Sequence, residues 1–86
     1  MNKLRIIVAD DHQMFREGLK SLISAEPDME IIGEAGTGRT AVRLAQELKP
    51  DLVVMDISMP ELNGLEAAGR LKQALPEVKV LVLTRR

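Results

Sequence analysis

Four short apolar runs recur along the chain, Leu4 to Ala9, Met29 to Ala35, Leu52 to Asp56 and Lys79 to Thr84, and stretches with helical spacing separate them. Leu52-Val53-Val54-Met55 and Val80-Leu81-Val82-Leu83 are continuous rather than alternating, which is how strands covered on both faces of a parallel sheet read. Between the first two runs, Phe15, Leu19, Leu22 and Ile23 fall at i, i+4, i+7 and i+8, predicting a helix that lays an apolar stripe on the sheet before Pro27-Asp28 closes it. A second helix carries Ala41, Leu44, Ala45 and Leu48. Gly36-Thr37-Gly38 opens it, with Thr37 as the cap, and Lys49-Pro50 stops it because a residue before proline avoids helical dihedrals. The third helix follows Asn63-Gly64, carries Ala68, Leu71 and Leu75, and ends at Pro76; its Gly69 lowers helix propensity and predicts close packing there. The order is βαβαβαβ. Right-handed crossovers and one reversal of winding direction give a doubly wound parallel layer with strand order 2-1-3-4.

Composition narrows the function classes. The 86 residues are 45% hydrophobic and 29% charged with a formal net charge of -1, the profile of one globular domain, residues 1–86. A chain this small buries only about 60 to 65% of its unfolded surface, so its core is marginal. Basic residues are scattered singly apart from Arg85-Arg86, which excludes a phosphate-backbone stripe and direct nucleic-acid binding by this chain. One Phe and no Trp or Tyr argue against base stacking. With no cysteine there is no disulfide or thiolate metal site, and with no long apolar segment there is no signal peptide or membrane span, so a cytoplasmic location is expected.

The chemistry sits where apolar runs meet acid. The first run stops at Asp10-Asp11, and the third stops at Asp56, followed by Ile57-Ser58-Met59-Pro60. Parallel strands deliver their carboxyl ends to one sheet edge, so Asp10, Asp11 and Asp56 become neighbours at the point where the winding reverses. Mg²⁺ prefers oxygen ligands and keeps several waters; two carboxylates and a backbone carbonyl would hold it and leave room for a phosphate. The pattern therefore points to phosphoryl chemistry on an aspartate. Taken singly, Asp10-Asp11 reads equally as a capped turn and Asp56 as a turn residue; it is their joint placement that singles them out. His12 reads as a solvated imidazole, since hard-cation sites do not favour nitrogen. Met14, Met29, Met55 and Met59 read as packing residues. A rival motif, Gly36-Thr37-Gly38-Arg39-Thr40-Ala41, fits the G-x-G-x-x-A dinucleotide pattern with Asp56 twenty positions on, but it follows the second strand and leaves Asp10 and Asp11 unexplained.

Three segments in register, VADDH, VVMDISMPELNG and VLVLT, resemble the motifs of a two-component response regulator receiver domain, with wording closest to the NarL/FixJ branch, and the resemblance covers essentially the whole chain. It implies a flavodoxin-like (CheY-like) α/β fold and a phosphoacceptor regulator rather than an enzyme. Residue by residue it implies that Asp56 takes a phosphoryl group from the phosphohistidine of a partner histidine kinase. Asp11 would bind Mg²⁺ directly, Asp10 through water, and the backbone carbonyl of Ser58 would complete the protein ligands. Thr84 would be the switch hydroxyl, and Pro60 and Gly64 would shape the loop. The parent is expected to control transcription through a helix-turn-helix output domain, which is not in this chain.

The same resemblance implies a fourth helix, a fifth strand ending in a lysine, and a fifth helix, none of which these 86 residues contain. The expectation is an incomplete receiver that leaves the strand ending at Thr84 as an open edge, and hence a homodimer or strand-exchanged oligomer. Alternatives from other classes are an inert or engineered half-domain that self-associates, a dinucleotide-binding unit, and an aspartate phosphatase. The last is disfavoured because Ser58 stands where a second catalytic aspartate would.

Overall fold

The computed structural model describes residues 3–57 and 63–83. Its elements run β1 (Leu4–Ala9), α1 (Gln13–Ser24), β2 (Met29–Ala35), α2 (Gly38–Leu48), β3 (Leu52–Asp56), α3 (Gly64–Ala74) and β4 (Lys79–Leu83). The four strands form one parallel sheet in the order β2-β1-β3-β4, the topology read from the sequence. Thr84, placed by the sequence at the end of the fourth strand, lies outside the described residues, as do Ser58, Met59 and Pro60.

Strand alternation sorts the core into two layers. Ile7, Ala9, Ala35, Val53 and Met55 point to one face and pack with Ala41 and Ala45 of α2 and Ala67 and Leu71 of α3. Ile6, Val8 and Val54 point to the other, where Leu19 and Ile23 of α1 join them. The β1–β2 register slips between Ile6 and Ile7: Ile6 pairs with Ile31 and Ile7 with Gly33, so Ile32 is the extra residue of a bulge. Ile31 and Ile32 face opposite layers by ordinary strand alternation, and past the bulge Ala9 still comes level with Ala35 at the carboxyl edge.

Caps fix where the helices begin and end. Thr37 Oγ accepts a hydrogen bond from the Thr40 amide (3.1 Å), satisfying one of the first-turn donors of α2. Lys49 ends that helix in the left-handed region at φ 50°, so the residue before Pro50 leaves the helix by reversing hand rather than by extending. At α3, Asn63 Oδ1 accepts from the Glu66 amide (2.9 Å) while Asn63 Nδ2 donates to Glu66 Oε1 (3.1 Å), a reciprocal cap.

Several expected positions move. Leu22 is 70% exposed; it lies one residue, about 100°, around the helix from the inward Ile23, and that places it on the flank of the stripe. In α3 the buried alanine is Ala67, four residues before Leu71, while Ala68 is only half buried. Gly69 is not a close-packing site, because a Cβ built there meets nothing within 4 Å. Met55 is buried, whereas Met14 is 89% exposed.

Candidate metal and phosphoacceptor site

β1 and β3 are the two inner strands, paired in parallel from Ile6↔Leu52 to Ala9↔Met55, so the residues after Ala9 and Met55 emerge side by side. Backbone bonding continues past both strand ends, since the Asp10 amide donates to the Ala35 carbonyl (2.9 Å) and the Ile57 amide to the Leu83 carbonyl (2.9 Å). Asp10 and Asp56 are thereby held at the rim with side chains 1% and 2% exposed, the two buried charged residues among those described. Asp11, one step further, reaches the surface and keeps a third of its side chain exposed.

One oxygen from each of Asp10, Asp11 and Asp56 and one ring nitrogen of His12 all lie within 4.8 Å of one another. The three carboxyls that the sequence placed at one edge do meet there. The described residues supply the oxygen-rich donor set that a hard divalent cation takes, and buried acids in mutual contact are stabilised by such a positive partner. Of the other residues singled out, Ser58 and Thr84 are outside the described residues, and Gly64 begins α3.

Two neighbours shape the cluster and were not given these roles by the sequence. His12, read as a free imidazole, is 56% exposed but has its Nδ1 2.8 Å from Asp11 Oδ1 and 3.5 Å from Asp10 Oδ1. Its backbone amide donates to Asp10 Oδ1 (2.7 Å), an aspartate-centred turn that fixes both residues as the chain enters α1. Arg16, one helical turn on, donates from Nη1 to the Asp10 backbone carbonyl, while its Nε lies 3.4 Å from Glu34 Oε1. Lys20 Nζ bonds Glu34 Oε2 (2.8 Å) and Glu17 Oε1 (2.9 Å). The hydrogen bond that Lys20 donates to Glu34 is the main cause holding the Glu34 carboxyl below its ordinary range, and the same bond is the main cause raising the Lys20 ammonium. The i, i+4 spacing of His12 and Arg16 was the available signal, because it sets Arg16 one helical turn after the residue that follows the acid pair.

A cleft of about 640 Å³ lies elsewhere, at the amino-terminal rim, lined by residues such as Leu4, Pro50, Asp51, Pro76 and Val78 and by no member of the acid cluster. The Gly36–Thr37–Gly38 turn contributes the cap and first turn of α2, and Gly36 keeps a negative φ. No helix among the described residues is long and apolar enough to cross a membrane.

Comparison with known proteins places this geometry. The family described as the response regulator receiver domain matches residues 6–86. The transcriptional regulatory protein DegU of Brevibacillus brevis is 47% identical over 83 residues, which are 96% of this chain and 35% of that protein. Among solved structures, the signal receiver domain of the response regulator NarL from Mycobacterium tuberculosis superposes with a TM-score of 0.95 at 30% identity, covering 100% of this chain and 69% of that one. A DNA-binding response regulator of the LuxR family from Staphylococcus aureus gives a TM-score of 0.88 at 32% identity, covering 94% and 68%. The chain spans between 35% and 39% of the length of the curated relatives it matches. On the match across residues 6–86, this chain belongs to the response regulator receiver domain family.

Proposed function

We propose that this chain is the phosphoacceptor unit of a two-component system, in which Asp56 accepts a phosphoryl group from the phosphohistidine of a histidine kinase. In this reading Asp11 and Asp56 hold Mg²⁺ directly, Asp10 acts through water and the Ser58 carbonyl completes the protein ligands. The observation that carries it is the convergence of Asp10, Asp11 and Asp56 within 4.8 Å at the carboxyl edge of the two inner strands. Bound there, Mg²⁺ supplies neutralisation of charge on the phosphoryl oxygens.

The remaining work belongs to the chain. An Asp56 carboxylate oxygen forms the bond to phosphorus as the phosphorus–nitrogen bond of the donor breaks, and the donor imidazole keeps that electron pair. Burial of Asp56 at the end of a strand bonded on both sides holds the nucleophile still, and positioning is the larger part of catalysis in phosphoryl transfer. Asp10 is fixed by the His12 amide and through its carbonyl by Arg16, which keeps the acid pair oriented. Thr84 is assigned the hydroxyl that responds to the phosphoryl group.

The signal passes to an output domain outside residues 1–86. Transcriptional control through DNA binding is the output favoured, because DegU is a transcriptional regulator and the Staphylococcus aureus relative a DNA-binding regulator. We place the protein in the cytoplasm, where such a kinase would meet it, and give it no nucleic-acid contact of its own. Self-association belongs to the same proposal. β4 is hydrogen-bonded to β3 on one side, and Leu81 on it is 50% exposed, so a second copy can cover that surface.

The test is incubation with a small acyl phosphate with and without Mg²⁺, followed by intact-mass measurement. Wild type should gain one phosphoryl mass only with Mg²⁺, and Asp56→Asn should gain none. An adduct of equal yield on Asp56→Asn would overturn the assignment.

A further inference from the structure

Asn63-Gly64 opens α3, and the metal and phosphoacceptor reading gives Asn63 no part. The chain holds two asparagines, Asn2 and Asn63, and only the second precedes a glycine. That pairing carries its own reactivity. The carboxamide carbon of an asparagine lies within five-membered-ring reach of the next residue's backbone nitrogen, and a glycine there puts no Cβ in the way. Asn63 is solvent-exposed, and Gly64 is the first residue of the helix, where a backbone amide has no intrahelical carbonyl to bond. What restrains the pair is the reciprocal cap. Asn63 Oδ1 accepts from the Glu66 amide at 2.9 Å and Nδ2 donates to Glu66 Oε1 at 3.1 Å, both on the exposed surface. Bonds at an exposed helix end open far more readily than the core does.

We propose that Asn63 is a self-modifying residue: it deamidates through the Gly64 nitrogen, and Glu66 sets the rate by holding the carboxamide in the cap. Solvent base takes the Gly64 amide proton and the nitrogen bonds to Asn63 Cγ. The Cγ–Nδ2 bond then breaks as Nδ2 takes a proton from water and leaves as ammonia, and a five-membered imide remains. Water opens the imide at one of its two carbonyls, giving either aspartate or an isoaspartate whose chain runs through Cβ and Cγ. Ammonia is lost, water is consumed, and a carboxylate replaces the amide, which makes the formal charge of -1 more negative by one. The two products treat α3 differently. Aspartate still accepts from the Glu66 amide, but it cannot donate to Oε1 and sets a second carboxylate beside it. Isoaspartate adds a methylene to the backbone at the helix entry and shortens the capping arm, so the first turn loses its acceptor. Residues 57–62 join Asp56 to this cap, so the change falls at the far end of the segment that follows Asp56.

The experiment incubates the full chain in mildly alkaline buffer, folded and in urea, and follows intact mass and peptide maps for wild type, Glu66→Ala, Glu66→Gln, Gly64→Ala and Asn63→Ser. Folded wild type should gain about one mass unit at Asn63, as a mixture of aspartate and isoaspartate, at a rate proportional to hydroxide. Glu66→Ala should react roughly two- to tenfold faster when folded, the effect of one exposed hydrogen bond, and at the wild-type rate in urea. Glu66→Gln, whose Oε1 still accepts from Nδ2, should lie nearer the wild-type rate. Gly64→Ala should be about tenfold or more slower in both conditions, and Asn63→Ser, which keeps a capping oxygen, should gain no mass. Folded wild type that stays unmodified while the unfolded chain converts, or conversion at Asn2 alone, would overturn the site. Equal folded rates for wild type and Glu66→Ala would overturn the part given to Glu66. Thermal unfolding of each variant checks that the folded comparison is made on folded chains.

Discussion

Asp10 and Asp56 are carboxyls held at 1% and 2% exposure, in contrast to the other described charged side chains, which keep contact with solvent. Their positions were legible because each ends a continuous apolar run, and apolar runs of this kind are inner parallel strands. The roles of His12 and Arg16 were not legible. Both depend on side-chain direction at the entry to α1, which a pattern of apolar spacing does not encode. A test at this scale concerns Glu34, whose carboxyl is held below its ordinary range chiefly by the hydrogen bond from Lys20. A lowered folded value means stability that is present above the unfolded carboxylate value and lost as pH falls through the folded one. Wild type should therefore lose stability over that acid interval, and Glu34→Gln should lack this part of the loss. Denaturant midpoints measured across the acid range check it, and superimposable curves for the two proteins would refute it. The pair is solvent-exposed, so the difference should be small and should shrink with added salt.

At the scale of elements, the sequence reading located β1, β2 and β3 at the bounds the structure gives, and it named the Thr37 cap. It misjudged which flank of a helix faces in. Leu22 and Ala68 were both placed inside, and each sits one residue, about 100°, from a residue that does face in. Apolar spacing on a short amphipathic helix leaves that much rotational freedom, and only packing against the sheet removes it. Gly69 was misread for a related reason: glycine in a helix signals either close approach or mere tolerance, and here a Cβ would stand in open space. Gly69→Ala should accordingly stabilise the protein by about 0.5–1 kcal/mol, read as a higher urea midpoint. A lower midpoint would show that something crowds that position. Thr37→Ala, which removes the acceptor for the Thr40 amide, should cost about 1 kcal/mol in the same measurement, and an unchanged midpoint would deny the cap its part in α2. Leu71→Ala should cost about 2–5 kcal/mol, since Leu71 is fully buried between α3 and the sheet; a loss under about 1 kcal/mol would contradict that packing.

For the whole molecule, strand order converts the sequence motifs into a site. Because β1 and β3 are adjacent and parallel, acids 46 positions apart, Asp10 and Asp56, arrive at one rim, and the winding reversal leaves that rim open for a ligand. The Gly36 motif joins β2 to α2, beyond β1 from β3, and its residues serve the helix cap. The described helix on the second face, α1, packs against β1 and β2, and Leu81 of β4 stays half exposed. Light scattering against concentration should show self-association of wild type that Leu81→Lys weakens, and a concentration-independent monomer would remove that part of the proposal. The central claim is that the three carboxyls act as one cation site. Calorimetric Mg²⁺ titration of wild type, Asp11→Asn, Asp56→Asn and the double variant tests it most directly. The account predicts a single Mg²⁺ per chain, about tenfold or greater weakening in each single variant, and a double variant little worse than either, because the groups share one ion. Mg²⁺ binding that is indifferent to both substitutions, or losses that simply add as for separate sites, would contradict it.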